Sequence, residues 1–192
     1  MLAKWKLKEV VLMSLLAVVF GIIYLVFVHI GNIWSSLIGP IAYEWIFGVW
    51  FLVSIVAMAI IRKPGAALIS EVMAATIEVL IGNALGPRLI LVGLVQGLGA
   101  EAAFAATRYR RFDLPVYILA GVLAAIFSFV YGYLLGGFAA LSPWYVLLML
   151  GIRILSGAVI AGYGGHLIVN GLYATGSLRG YAIARQKRDA RA

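Results

Sequence analysis

The chain has 192 residues, 65% of them hydrophobic and only 11% charged, with a mean hydropathy of +1.08. Soluble domains carry about 25% charged residues, so a water-soluble globule is excluded, and the length leaves no room beside one membrane domain for a soluble catalytic one. Cysteine is absent, which excludes disulfides, thiolate metal sites, Cys nucleophiles and iron–sulfur clusters, and the 15 Lys and Arg against 7 Asp and Glu suit membrane-flanking loops better than nucleic acid.

A bilayer core of roughly 30 Å needs about 20 apolar residues in a helix. Stretches that meet this run over Val10–Val28, Ile41–Ile61, Ala66–Gly82, Leu89–Thr107, Pro115–Leu135 and Tyr145–Val169. The third is the shortest and holds two glutamates, but its neighbours need a crossing there for the loop charges to balance. Orientation follows from Lys and Arg in the loops. With the N-terminus inside, all of them fall on the cytoplasmic side except Arg88, outside, and Arg153, within the membrane; Lys4 and Arg191 belong to the inner set. The prediction is an all-α polytopic protein: residues 1–192 form a single six-transmembrane-helix bundle, N-in/C-in, in the bacterial plasma membrane, with a basic cytoplasmic tail over about 179–192.

The first span is too long for the h-region of a cleaved signal peptide, and no A-x-A-like site follows it. The stretch from His29 to Pro40 is expected to be the longest outer connection. Small residues recur at helix-packing spacing: Ala17 and Gly21, Gly93 and Gly97, and Gly157, Ala161 and Gly165. Packing inside the bundle accounts for such faces, and the Ala17/Gly21 face could also serve a partner protein.

Ionisable groups in hydrocarbon cost about 2.5–3.5 kcal/mol each on insertion scales and must be paired, wet or functional. Here they are Glu44, Glu71, Glu78, Glu101 and Arg153, joined by the uncharged Gln96 and Asn83. Glu71 and Glu78 are separated by about 700° of helix and share one face. Glu44, Glu71, Glu78, Gln96 and Arg153 concentrate in the outer half, while Glu101 and His166 lie nearer the cytoplasm. Tyr43, Phe47 and Trp50 share a face at i, i+4 and i+7 beside Glu44, and Tyr131 closes the fifth span. Outer Trp34 and Trp144 fit the interfacial aromatic belt.

Three carboxylates against one guanidinium leave an excess of negative charge at the outer face. A pocket there favours a cation, and aromatic faces add cation–π attraction. Carboxylate, amide and aromatic platform together suit an aminopyrimidine-like ring. Glu71 and Arg153 can equally form a structural ion pair, and Glu101, beside Gly97 and Gly99, fits a structural or coupling role. Enzyme signatures are missing: there is no G-x-x-x-x-G-K-[ST] and no H-E-x-x-H. The two Asp, Asp113 and Asp189, lie at the inner surface, and Ser156 and His166 lie about 280° apart around one helix. No catalytic residue, metal or cofactor is expected.

The sequence resembles the YkoE-type substrate-binding (S) components of energy-coupling factor (ECF) transporters. The carrying stretches are Gly39-Pro40-Ile41-Ala42-Tyr43-Glu44, Gly48-Val49-Trp50-Phe51, Arg62-Lys63-Pro64-Gly65-Ala66-Ala67-Leu68, Ser70-Glu71, Glu78 with Gly82-Asn83, Val95-Gln96-Gly97-Leu98-Gly99-Ala100-Glu101, and Arg153 with Ser156-Gly157. The resemblance implies a six-helix subunit of an ATP-driven importer that captures thiamine or hydroxymethylpyrimidine from outside. It implies no ATPase in this chain; a T component and ABC-type ATPase subunits drive transport. Ala17 and Gly21 fall where that superfamily carries an A-x-x-x-A-like face for the T component. Chosen by depth, face and chemistry, the expected substrate-binding residues are Glu44, Glu78, Glu71, Gln96, Asn83, Tyr43, Phe47, Trp50, Tyr131 and Arg153. The alternative is a cation-coupled secondary transporter of a small cationic or heterocyclic solute, which intramembrane glutamates also suit.

Overall fold

Apolar runs of this length have no water to satisfy their backbone, so they fold as helices. The structure, a computed structural model, describes residues 5–189, which contain no strand. Lys4 and Arg191 of the inner basic set, and the end of the basic tail, lie outside the described residues. The helices are α1 (Leu7–Ile38), α2 (Ile41–Ile46), α3 (Leu52–Ile61), α4 (Ala66–Leu80), α5 (Arg88–Ala106), α6 (Leu114–Leu135), α7 (Pro143–Ser156), α8 (Gly165–Ala174) and α9 (Ala182–Asp189). A 3-10 segment, Phe47–Phe51, joins α2 to α3, and a π-helical segment, Gly157–Gly164, joins α7 to α8.

Among the described residues, five helical runs are long and apolar enough to cross a membrane: Leu7–Ile38, Ile41–Ile61, Arg88–Ala106, Leu114–Leu135 and Pro143–Ala174. Helix α4 has only 15 residues and falls short of that length. The expected outer connection after His29 is instead helical: α1 continues to Ile38 and stops at Gly39, whose φ of 82° leaves the helical region. No proline or glycine-specific angle interrupts the chain before that point, and the polar residues Asn32, Ser35 and Ser36 are tolerated on its exposed end.

The α2–α3 rod is the centre of the fold. Every residue from Gly48 to Ile61 is buried. Helices α1, α4, α5, α6 and the α7–α8 run pack around it as a crescent. Backbone meets backbone where α6 crosses the π-segment: a Cβ added at Gly121 would strike the Gly157 carbonyl, so both positions exclude any larger residue.

The basic residues gather at one end of the bundle. Arg62 and Lys63 join α3 to α4, and Arg108, Arg110 and Arg111 join α5 to α6. Lys63 Nζ binds Glu9 Oε2 at 2.6 Å, and Lys8 Nζ donates to the Gly180 carbonyl at 2.5 Å, so the start of α1 and the stretch at Gly180 both reach this basic end. Arg88 stands at the opposite end.

The Ala17/Gly21 face is inside the bundle, which corrects its expected use as a partner surface. Ala17 is 1% exposed, and a Cβ on Gly21 would meet Ile77 and the Ala74 carbonyl of α4. The pair lets α1 and α4 approach, and leaves Leu15, Val18, Val19 and Ile22 outward. Gly93 and Gly97 do the same for α5 against α4, at Ala75 and Leu68.

Candidate functional site

At the end opposite the basic residues, the rod and crescent part around a pocket of about 390 Å³. Val28 and Asn32 of α1 form one wall, and Tyr43, Phe47 and Trp50 another. Glu78 of α4 and Asn83, Ala84 and Leu85 of the following turn close a third side, with Leu89, Val92 and Gln96 of α5. The volume falls in the range of about 300–1,000 Å³ typical of small-ligand sites.

The aromatic wall spans the point where α2 gives way to a 3-10 turn at Phe47. Tighter winding keeps Tyr43, Phe47 and Trp50 on one side, with Trp50 at ring-centroid distances of 5.5 Å from Phe47 and 6.2 Å from Tyr43. Tyr24 and Phe27 of α1 back Trp50 from behind, each at 6.4 Å. The Tyr43 hydroxyl lies 2.6 Å from Asn32 Oδ1 and 3.1 Å from the Val28 carbonyl, tying the aromatic wall to α1.

Three polar side chains face the void with different freedom. Asn83 is fixed, because its Oδ1 accepts from the Leu85 N–H at 2.8 Å while its amide donates to Glu78 Oε1 at 2.7 Å. Glu78 is 1% exposed and has no cationic partner among the described residues; the Asn83 amide donates to it. Gln96 is 3% exposed, and its amide has no hydrogen-bond partner among the described residues. That amide borders the void, where a ligand can pair with it.

The structure thus brings Tyr43, Phe47, Trp50, Glu78, Asn83 and Gln96 together and places the other four expected site residues away from the lining. Glu44 and Arg153 face each other behind Phe47: Arg153 Nη2 donates to Glu44 Oε1 at 2.7 Å and Nε donates to Oε2. At 1% and 2% exposure this is a buried, bidentate pair. Glu71 accepts the Ser54 hydroxyl between α4 and α3. Tyr131 accepts from Arg88 Nε at 3.1 Å on an outward groove with Val130 and Leu134. Charge counting along the chain could not separate these cases, because pairing depends on which helices touch.

Val28, Asn32, Ala84, Leu85, Leu89 and Val92 line the pocket without having been singled out. Asn32 was findable: it lies one turn beyond Val28, and no helix-stopping residue precedes Gly39. The others are apolar or on a turn and carry no chemical signature.

A hollow of about 410 Å³ at the basic end, by Tyr173 and Arg179, has no comparable aromatic and carboxylate lining. Nor do three His, Cys, Asp or Glu side chains converge anywhere among the described residues. A lone carboxylate beside amides and flat rings is a donor set for an organic molecule with N–H groups, not for a bare metal ion.

Residues 8–127 match the family described as the ABC-type cobalt transport system, permease component. The chain is 50% identical over 187 residues to the HMP/thiamine permease protein YkoE of Bacillus subtilis (strain 168), covering 97% of this chain and 94% of that protein. It also superposes on a solved crystal structure of an S-component of an ECF transporter with a TM-score of 0.94 at 49% identity, covering 98% of this chain and 95% of that one.

Proposed function

Because this chain belongs to the family of S components of ECF transporters, a membrane transport subunit and not an enzyme, we propose that its pocket captures thiamine or hydroxymethylpyrimidine from outside the cell. The supporting observation is the pocket's donor set. Glu78 and the unpartnered Gln96 amide present acceptors to the N–H groups of an aminopyrimidine, and Gln96 can also donate to a ring nitrogen. Tyr43, Phe47 and Trp50 supply flat faces for the ring, and the same faces with Glu78 favour the positive charge of a thiazolium.

The protein crosses the membrane six times with both ends inside. The sixth crossing is α4, which runs beside α5 from the basic end to the pocket end although it is short. The gathering of Arg62, Lys63, Arg108, Arg110 and Arg111 at one end puts that end in the cytoplasm of a bacterial cell by the positive-inside rule. The pocket then opens outward, and a T component with ABC-type ATPases supplies the work of import. Isothermal titration of the purified chain with thiamine and with hydroxymethylpyrimidine tests the ligand. Binding of either below micromolar concentration is expected, and folded protein that takes up neither overturns the assignment.

A further inference from the structure

Arg153 lies outside the pocket, yet it touches the pocket's wall from behind. Its guanidinium carbon sits 3.6 Å from the centroid of Phe47, a stacking distance, while Phe129 and Phe138 enclose it at 5.1 and 5.5 Å. Glu44 holds two of its nitrogens, and Nη1 donates to Ser128 Oγ at 3.3 Å. The guanidinium is therefore held in place over the Phe47 ring, which in turn meets Trp50 at a ring-centroid distance of 5.5 Å.

Ser156, one turn along α7, acts on the same break. Where α2 passes into the 3-10 turn, the helical ladder leaves groups unpaired. The Ser156 hydroxyl donates to the Trp45 carbonyl and accepts from the Gly48 N–H, both at 2.9 Å. A Cβ on Gly48 would strike the Ser156 carbonyl, so the two backbones are in contact there. Residues 44, 45, 47 and 48 are all gripped by Arg153 and Ser156, and Phe47 and Trp50 project from this gripped stretch into the pocket.

We propose that Arg153 and Ser156 are positioning residues for ligand capture, holding the aromatic wall of the pocket in its binding geometry without touching the ligand. Glu44 serves Arg153 in this and is not a ligand contact. A buried ion pair replaced by apolar groups of similar size is often neutral for stability, so stability alone does not account for this pair. Its geometry does: only a planar, delocalised cation can be both bidentate to a carboxylate and stacked on a ring. The inference rests on the pocket being the ligand site.

The test titrates thiamine and hydroxymethylpyrimidine against wild type, Arg153→Lys, the double variant Glu44→Gln/Arg153→Met, and Ser156→Ala. Affinity is read by calorimetry, and folding by thermal unfolding in detergent. Trp50 fluorescence is followed in a background where Trp5, Trp34, Trp45 and Trp144 are Phe. Arg153→Lys keeps the charge and loses the flat face. We expect it and the double variant to fold, to bind at least tenfold more weakly, and to leave Trp50 more accessible to a soluble quencher. Ser156→Ala should weaken binding about threefold to tenfold. Folded variants that bind within twofold of wild type, with unchanged Trp50 quenching, overturn the proposal, as does full rescue by Arg153→Lys. Wild type that binds neither compound overturns the ligand assignment, and this proposal with it.

Discussion

The two ends of the bundle bury the same chemical group and treat it in opposite ways. At the basic end, Glu101 on α5 accepts from the backbone N–H groups of Gly65, Ala67 and Leu68 at 2.7, 3.0 and 3.2 Å. It thereby closes the start of α4, where helical N–H groups have no partner of their own. At the pocket end, Glu78 on α4 accepts from the Asn83 amide and borders a void. How many donors the protein itself brings decides the role. A carboxylate saturated by its own chain is a staple; the one left partly unsatisfied beside an opening is the one we propose for the ligand.

The largest expected effect breaks the staple. Glu101→Ala strands three N–H groups and should cost about 3 kcal/mol of stability, since each buried unpaired donor costs about 1–3 kcal/mol. Unfolding in detergent measures it, and a loss under about 1 kcal/mol would dissolve the contrast between the ends. Next, Glu78→Gln should leave unfolding nearly unchanged and weaken thiamine binding by about tenfold, or about 1.4 kcal/mol; equal affinity in calorimetry would remove Glu78 from the receptor. Gln96→Leu sharpens the same point, with an expected loss of about 1 kcal/mol in affinity and none in stability, because its amide borders the void and has no partner among the described residues to lose. The smallest effect is a control at the basic end. Arg111 pairs with Asp113 at 2.6 Å but is largely exposed, so Arg111→Ala should change stability by less than about 1 kcal/mol. The pair does hold the Asp113 carboxyl below its ordinary range.

Much of this architecture is legible in the sequence because the membrane sets simple rules. The span Ile41–Ile61 is observed with the expected limits, and Pro115–Leu135 and Leu89–Thr107 each shift by about a residue, since hydrophobic length and a flanking Pro or Arg mark those ends. What escaped is whatever depends on contact between helices. The 3-10 turn at Phe47 and the π-segment at Gly157 interrupt runs that read as uniform, and each is held by groups distant in sequence: Ser156 on Trp45, Gly121 on Gly157. Glu44 and Glu78 look alike along the chain, and only the arrival of Arg153 distinguishes them. The small-residue face at Ala17 and Gly21 illustrates the same limit, because spacing shows that something packs closely and not what.

Helix α1 has 32 residues, about 48 Å at about 1.5 Å per residue, against a hydrocarbon layer of roughly 30 Å. The surplus must be taken up by tilt or by emergence into the headgroups. Asn32, Ser35 and Ser36 mark the stretch suited to emerge, and Asn32 is also a stone in the rim of the pocket. On the proposed outward-opening pocket, an arriving solute would meet the protein first at a collar level with the headgroups, and shed part of its hydration there, before it reaches the aromatic interior.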